Sequence, residues 1–401
     1  MAKIDGDRLL TDLRTLAQFG KCGTGVTRLP FSQEDLAARE WLQSRLNEAG
    51  LAASLDCYGN VCGLAPGPGP SVVIGSHTDT VPQGGWLDGA LGVMYGLEIA
   101  RARVEEGKNG VDVASFMDEE GTYLSFLGSR AFCGRMADEE LERTKGPGGR
   151  PLAEVIRERR SLGTPAQLDP DRHLAYLEAH IEQGPRLEAA QQRIGVVSAI
   201  VGIHRYRVSV EGQADHAGTT PMNMRKDAGA VLIGIANVVL QQFAGEAASD
   251  TVWNIGSISF APGVTNVVPA GATMTVEFRD TDVALLERFD ALLQDIVAAH
   301  GRKSGRPAET SLVMRVEPVT MDAALAEAIA TASRGRGETP KVMPSGAGHD
   351  AQVLAKHLPA AMLFVPSIGG RSHTVAENTR DEDIVVGCQV LADAVDRVLT
   401  R

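Results

Sequence analysis

Two apolar runs flanking a helix-length segment constrain this chain most. "SVVIGS" (71–76) follows a Pro/Gly turn, "APGPGP", and "VDVASFM" (111–117) comes after "GALGVMYGLEIARARVEEG" (89–107). Both runs are strand-length, and the stretch between them has helical patterning. Strand, helix and strand in that order predict an α/β domain. Its core would be a mixed, largely parallel sheet with helices on both faces. Upstream, "SQEDLAAREWLQSRLNEAG" (32–50) adds an amphipathic helix. Ser32 and Asp35 form a capping box there, and Gly50 sits where a helix stops.

From about residue 199 the pattern changes. "HRYRVSVEG" alternates like a strand, "MRKDAGAVLIGIANVVLQQFA" is helical, and "TVWNIGSISF" and "ATMTVEFRD" are strands. "DVALLERFDALLQDIVAAHG" is helical and "TSLVMRVEPV" is a strand. The order β-α-β-β-α-β predicts a ferredoxin-like α+β unit inserted in the chain. Helical and strand patterns then resume in "ALAEAIATASRG" and "AAMLFVPS". At 401 residues the chain exceeds what one core usually serves. The expected organisation is a discontinuous domain, 1–198 plus 316–401, with a second domain at 199–315. The Gly-, Pro- and charge-rich stretch 143–172 is expected to be an excursion or loop.

Net charge is −12, which disfavours a nucleic-acid surface or attraction to anionic membranes. No apolar run is expected to reach the roughly 18 residues of a membrane span. "MAKIDGDRLL" lacks a signal-peptide core, so a cytoplasmic protein is expected. Five cysteines, with no CxxC, argue against a thiolate zinc site or a disulfide framework.

Acids and histidines cluster after the apolar runs. "IGSHTDTVPQGGWLDGALG" puts His77 just past a strand and Asp88 after a glycine-rich turn. Imidazole and carboxylate are common zinc or manganese ligands. Asp79 is placed to orient His77, since a ligating histidine usually gives its other N–H to an acceptor. Equally, His77 reads as a polar loop residue and Asp88 as a helix cap. "DEEG" (118–121) follows the next strand and reads alone as a solvated acidic turn. "LEAHIEQGP" carries His180, and "LFVPSIGGRSHT" carries His373 after another strand.

These positions share one property. Each lies at or near the C-terminal end of a predicted strand, where open α/β sheets bind ligands. Together they fill two metal positions if Asp88 bridges. One of Glu119 and Glu120 is then neutralised by a metal ion, and the other is left as a general base for water. Adjacent acids are tolerable beside a dication.

Taken together, these stretches resemble the hydantoinase/carbamoylase branch of the M20 metallohydrolases. That branch includes N-carbamoyl-L-amino acid hydrolases, β-ureidopropionases and allantoate amidohydrolases. The resemblance runs from "GVTRLPFSQEDLAAREWL" to "VPSIGGRSHTVAENT", and "GSHTDTVPQGGWLDGALGV", "AHIEQGP" and "HAGTTPM" are its specific motifs. It implies two divalent metal ions per subunit. His77, Asp88 and His180 would hold one; Asp88, Glu120 and His373 would hold the other. Glu119 would be the general base. The inserted domain would be a lid and dimerisation domain, making a homodimer. In "QADHAGTTPM", His216 matches a lid histidine that stabilises a developing oxyanion, often from the partner subunit. Asn266 and Arg279 match residues holding the substrate's carboxylate end, and Gln183 one near the ureido group. In "SGAGHDAQ", His349 and Asp350 are weaker substrate-side matches. Tyr123 stands where many relatives carry arginine, which puts transfer of any one relative's specificity in doubt.

The implied reaction is hydrolysis of a linear amide C–N bond in a small ureido or amide carboxylate. An N-carbamoyl-L-amino acid would give ammonia, carbon dioxide and the amino acid. Alternatives are an allantoate- or ureidoglycolate-type amidohydrolase, an M20 N-acyl-amino acid amidase or peptidase, and a non-catalytic binding protein on the same scaffold. No G-x-S-x-G elbow supports a serine hydrolase. Zinc, manganese, cobalt and nickel all accept such a ligand set.

Overall fold

The computed structural model describes residues 2–159, 163 and 165–400. Two compact units emerge: Met1–Ser198 with Thr320–Arg401, and Ala199–Val319.

The first unit is built on a nine-stranded mixed sheet. Four strands at its centre are parallel neighbours: Ala360–Val365, His173–Ile181, Ser71–His77 and Val111–Phe116. Antiparallel neighbours flank them, Gly195–Ile200 beside Ala360–Val365 and Val61–Leu64 beside Val111–Phe116. Ser71–His77, Val111–Phe116 and Ala360–Val365 are buried along their whole length. That explains why they read as continuous apolar runs rather than alternating ones. The helix Ala90–Glu105 is buried through Arg103 and packs on three of the central strands. Small residues permit this close seat. An added Cβ on Gly92 would meet the Ala179 carbonyl oxygen at 2.4 Å.

Several local expectations changed. Ser32 caps Gln33–Glu48 by accepting the Asp35 N–H, but the return bond runs from the Phe31 N–H to Asp35, not from Ser32. Asp35 needs its other oxygen for buried Arg39. Within 143–172, Leu152–Arg159 is a helix, and its Leu152 and Ile156 pack with Met117, Leu127 and Leu141. Residues 160–162 and 164 of that stretch lie outside the described residues.

The second unit runs strand Gly202–Glu211, helix Ala228–Glu246, strands Val252–Ala261 and Gly271–Asp280, helix Val283–Ser304 and strand Ala308–Val316. Its strands form one antiparallel sheet, with Val252–Ala261 and Ala308–Val316 at the edges. Asp227 and Asp282 cap the two helices. Helix Ala228–Glu246 corrects the expectation about apolar runs. By length and composition, its 19 residues suffice to cross a membrane. One face of it packs in this unit, with Leu232, Ile235, Val239 and Phe243 buried in the hydrophobic cluster, while Ile233 and Leu240 are exposed.

Candidate metal centre

Each of the four central parallel strands delivers a polar residue at its C-terminal end. His77 is the last residue of its strand, and His180 the second-last of His173–Ile181. Asp118–Glu120 follow Phe116, and His373 lies in the loop beyond Val365. Asp88 precedes the helix Ala90–Glu105. It does not cap that helix, whose N-cap is Gly89 with no side-chain bond. Its carboxylate faces the histidines instead. Asp88 Oδ1 lies 3.0 Å from His180 Nε2 and 4.0 Å from His77 Nε2. Asp88 Oδ2 lies 3.1 Å from His373 Nε2, which is 3.4 Å from Glu120 Oε1. Donor atoms of His77, Asp88 and His180 fall within 4.8 Å of one another, and so do those of Asp88, Glu120 and His373.

The imidazoles are held from behind. His77 Nδ1 bonds the Asp79 carbonyl at 3.0 Å, and His180 Nδ1 the Ile181 carbonyl at 2.8 Å. A carbonyl can only accept, so each ring proton sits on Nδ1 and each Nε2 presents a lone pair. The Gly89 N–H faces that of His180 at 3.2 Å. Gly89 has φ +66°, and a Cβ there would stand 2.4 Å from the His77 ring, so glycine is required. Asp79 was expected to orient His77, and it does so through its main chain. Its carboxylate accepts the N–H groups of Asp118 (3.0 Å) and Glu120 (3.3 Å), with Arg39 3.7 Å away.

The three consecutive acids have three destinations. Asp118 adopts φ +57° and turns back on the chain, accepting the N–H groups of Thr122, Tyr123 and Leu124. Glu119 Oε2 stands 3.7 Å from His77 Nε2. Glu120 faces His373. Non-glycine φ values near +55° recur at Gln183 (+58°) and His373 (+53°) in this centre, as they do at Gln83 and Gln191.

Electrostatics show a site over-supplied with negative charge. Burial, then Glu120, Asp350, Asp79 and Asp88, push the Glu119 carboxyl well above its ordinary value. Burial and Asp88 push Glu120 up to about 8. Burial works the same way on Asp88, yet the facing His180 and His373 rings hold it well below the usual range. The Asp88 hydrogen bond raises His373 to about 9. Buried Glu120 Oε1 receives no hydrogen bond. Divalent cations fit such a donor set, offsetting the acids and using the bare oxygen.

Gln183 lies at the same centre. Its Nε2 donates to Asp88 Oδ1 (3.2 Å) and to Ser372 Oγ (3.3 Å). His349 is buried, with Nε2 2.8 Å from Ser345 Oγ and its ring centroid 4.5 Å from that of His180. Tyr123 packs edge-on against Phe31, with centroids 5.6 Å apart. His216, Asn266 and Arg279 belong to the second unit. There His216 bridges to Val267, and the Ala217 N–H donates to the Asn266 carbonyl, so the two loops are tied together. His216 Nδ1 accepts from the Gly218 and Thr219 N–H groups. Arg279 pairs with Glu277, and Glu277 also binds Arg205 on the neighbouring strand.

Two acids were not singled out from sequence. Glu178 accepts from Ser76, Tyr176 and the Ala351 N–H beneath the centre. Glu377 bonds the backbone at Leu87 and Asp88. The one signal for Glu377 was its place in "HTVAENT", four residues past His373.

Comparison with known proteins places these residues in context. Residues 73–397 match the model of peptidase family M20/M25/M40. An N-carbamoyl-L-amino-acid amidohydrolase of Paenarthrobacter aurescens is 34% identical, covering 98% of this chain and 97% of that protein. An allantoate amidohydrolase of Escherichia coli is also 34% identical, covering 92% of each. The solved structure of an amidase of the hydantoinase/carbamoylase family from Burkholderia phymatum is 46% identical. It superposes with a TM-score of 0.92 over 100% of this chain and 99% of that one.

Proposed function

Because the chain belongs to peptidase family M20/M25/M40, in its hydantoinase/carbamoylase branch, we propose that it hydrolyses the carbamoyl group of an N-carbamoyl-L-amino acid or a related ureido acid. The observation that carries this reading is the pair of donor sets sharing Asp88, with Glu119 beside them and outside both. His77, Asp88 and His180 would hold one divalent ion, and Asp88, Glu120 and His373 the other; zinc and manganese suit them best. Such ions supply a Lewis acid that polarises the carbonyl and acidifies water.

The chain's own residues do the rest. Glu119 accepts a proton from the attacking water. As the carbamoyl C–N bond breaks, it returns that proton to the departing amine nitrogen. One water is consumed, and the amino acid, carbon dioxide and ammonia leave. His216 donates to the oxygen that gains charge in the tetrahedral state. Its geometry supports a donor: Nδ1 accepts two backbone N–H groups, so the ring proton sits on Nε2. Arg279 and Asn266 bind the carboxylate end, and a guanidinium suits that task. Gln183 and His349 line the ureido side. The second unit acts as a lid and pairs with a second copy. In support, its edge strand Val252–Ala261 exposes Val252, Ile258 and Phe260.

The Escherichia coli relative favours a second reading of the same chemistry, with allantoate as substrate. One experiment separates them: ammonia release by metal-reconstituted protein, with a chelated control. The panel holds N-carbamoyl-L- and D-amino acids, N-carbamoyl-β-alanine, allantoate and ureidoglycolate, plus N-acetyl amino acids and dipeptides followed by amine release. Metal-dependent ammonia from an N-carbamoyl-L-amino acid is expected. Amine from acyl compounds alone would replace this reading with an amidase or peptidase one.

A further inference from the structure

Glu377 is almost fully buried, at 2% exposure, and its carboxylate hydrogen bonds go to the main chain of Leu87 and Asp88 and to Ser372. Its Oε1 accepts the N–H groups of Leu87 and Asp88, both at 3.0 Å. Its Oε2 accepts the Ser372 hydroxyl at 2.9 Å. Its own N–H donates to the Thr374 carbonyl. One carboxylate therefore grips two loops far apart in sequence, one carrying Asp88 and the other His373. The fit is tight enough to dictate a neighbour. A Cβ on Gly85 would fall 1.8 Å from the Glu377 carboxyl group, so "GGW" (84–86) needs glycine at that place. Ser372 extends the clasp by accepting from Gln183 Nε2, which also bonds Asp88.

The other ligands do not depend on this clasp. His77 and His180 are oriented by the carbonyls of Asp79 and Ile181. Glu120 is fixed through its N–H to Asp79. Only Asp88 and His373 lean on Glu377. Asp88 is shared by both donor sets, whereas His373 serves only one.

We propose that Glu377 is a positioning residue that sets His373 against Asp88, and so governs occupancy of one metal position far more than the other. It would act on the set Asp88, Glu120 and His373, and leave His77, Asp88 and His180 competent. The inference rests on the two-metal reading of the centre. Groups that orient metal ligands typically change affinity by about 10–100-fold when removed.

The test is calorimetric titration of manganese(II) into chelator-stripped full-length protein, without substrate. Wild type should take up two ions. Glu377→Ala should keep one near wild-type affinity and weaken the other by about 10–100-fold. Glu377→Gln keeps an acceptor for the two N–H groups and an atom facing Ser372, so it should restore the weakened site to within about tenfold of wild type. Ser372→Ala, which leaves the Leu87 and Asp88 bonds, should weaken the same site by less than Glu377→Ala. It keeps the idea open to refutation if Glu377→Ala fails to fold. Equal loss at both positions, or wild-type affinity at both in folded Glu377→Ala, overturns the proposal. Failure of the wild-type protein to bind two ions would instead sink the two-metal reading, and this inference with it.

Discussion

Glu119 must take a proton from water and later give it up, and both acts depend on its place among other acids. Burial and four neighbouring carboxyls raise its proton affinity, and a cation nearby would lower it again. Amide replacement removes the proton carrier and keeps the shape. Glu119→Gln should therefore cut kcat by about 10²–10⁴-fold. It should leave both metals bound, because Glu119 belongs to neither donor set. Metal analysis beside steady-state rates checks this; near-normal turnover in the metal-replete variant would end the assignment. At this scale much of the centre was legible. His77, Glu120, His180 and His373 each come at or after an apolar run and Asp88 after a glycine-rich turn, and acids and histidines are conspicuous there. Glu377 was not legible. Its carboxylate works on the main chain of a loop nearly 300 residues away in sequence, and no local pattern records such a contact. Asp79 was legible as an orienting residue, but not which of its oxygens would serve, since that is decided by the turn after His77.

The strands were readable where burial made them continuous. Val111–Phe116 and Ser71–His77 stood out for that reason. The antiparallel strands Ala52–Leu55 and Val61–Leu64, short and partly exposed, did not. Asp112, the one acid inside Val111–Phe116, lies at the end of its strand away from the metal centre. Burial opposes its charge, but Arg172 pairs with it at 2.7 Å, and Ser71 Oγ and the Ala65 N–H donate to it. These partners hold its carboxyl below the usual carboxylate range. A depressed folded-state pKa contributes stability above the unfolded value, near 3.9, and loses it as pH falls toward the folded value. Asp112→Asn should thus cost about 3 kcal/mol at pH 7, the scale for breaking a buried pair. The deficit should be flat from pH 7 to 5 and narrow below about pH 4. Urea unfolding of both proteins across that range measures it. A deficit that stays constant or widens in acid would contradict the pairing, and the folded variant should keep its kcat.

Beyond one chain, the candidate metal centre is built wholly from the first unit, and His216, the proposed oxyanion donor, belongs to the second. The resemblance that suggested His216 as a donor also implies that such a histidine often comes from the partner subunit. The exposed apolar residues of Ala228–Glu246 and of the edge strand Val252–Ala261, Ile233 and Leu240 with Ile258 and Phe260, give a second copy something to bury. Sequence showed the unit's β-α-β-β-α-β order, because each element has its own period. It did not show which strands lie at the edges, since strand order depends on long-range pairing. Subunit mixing tests crossing directly. Glu119→Gln and His216→Ala are each expected to be nearly inactive alone. If His216 acts across a two-fold interface, a mixed dimer has one doubly damaged site and one intact site, with Glu119 from one chain and His216 from the other. Random exchange makes half the dimers mixed, so activity should recover to about a quarter of wild type, as the symmetry of a closed dimer requires. If His216 serves its own chain, every site in the mixture keeps one defect and no recovery follows. Lysine at both Ile258 and Phe260 should abolish the recovery by separating the subunits, and light scattering would show monomers. Dimers and recovery that both persisted in this double variant would place the interface elsewhere on the chain.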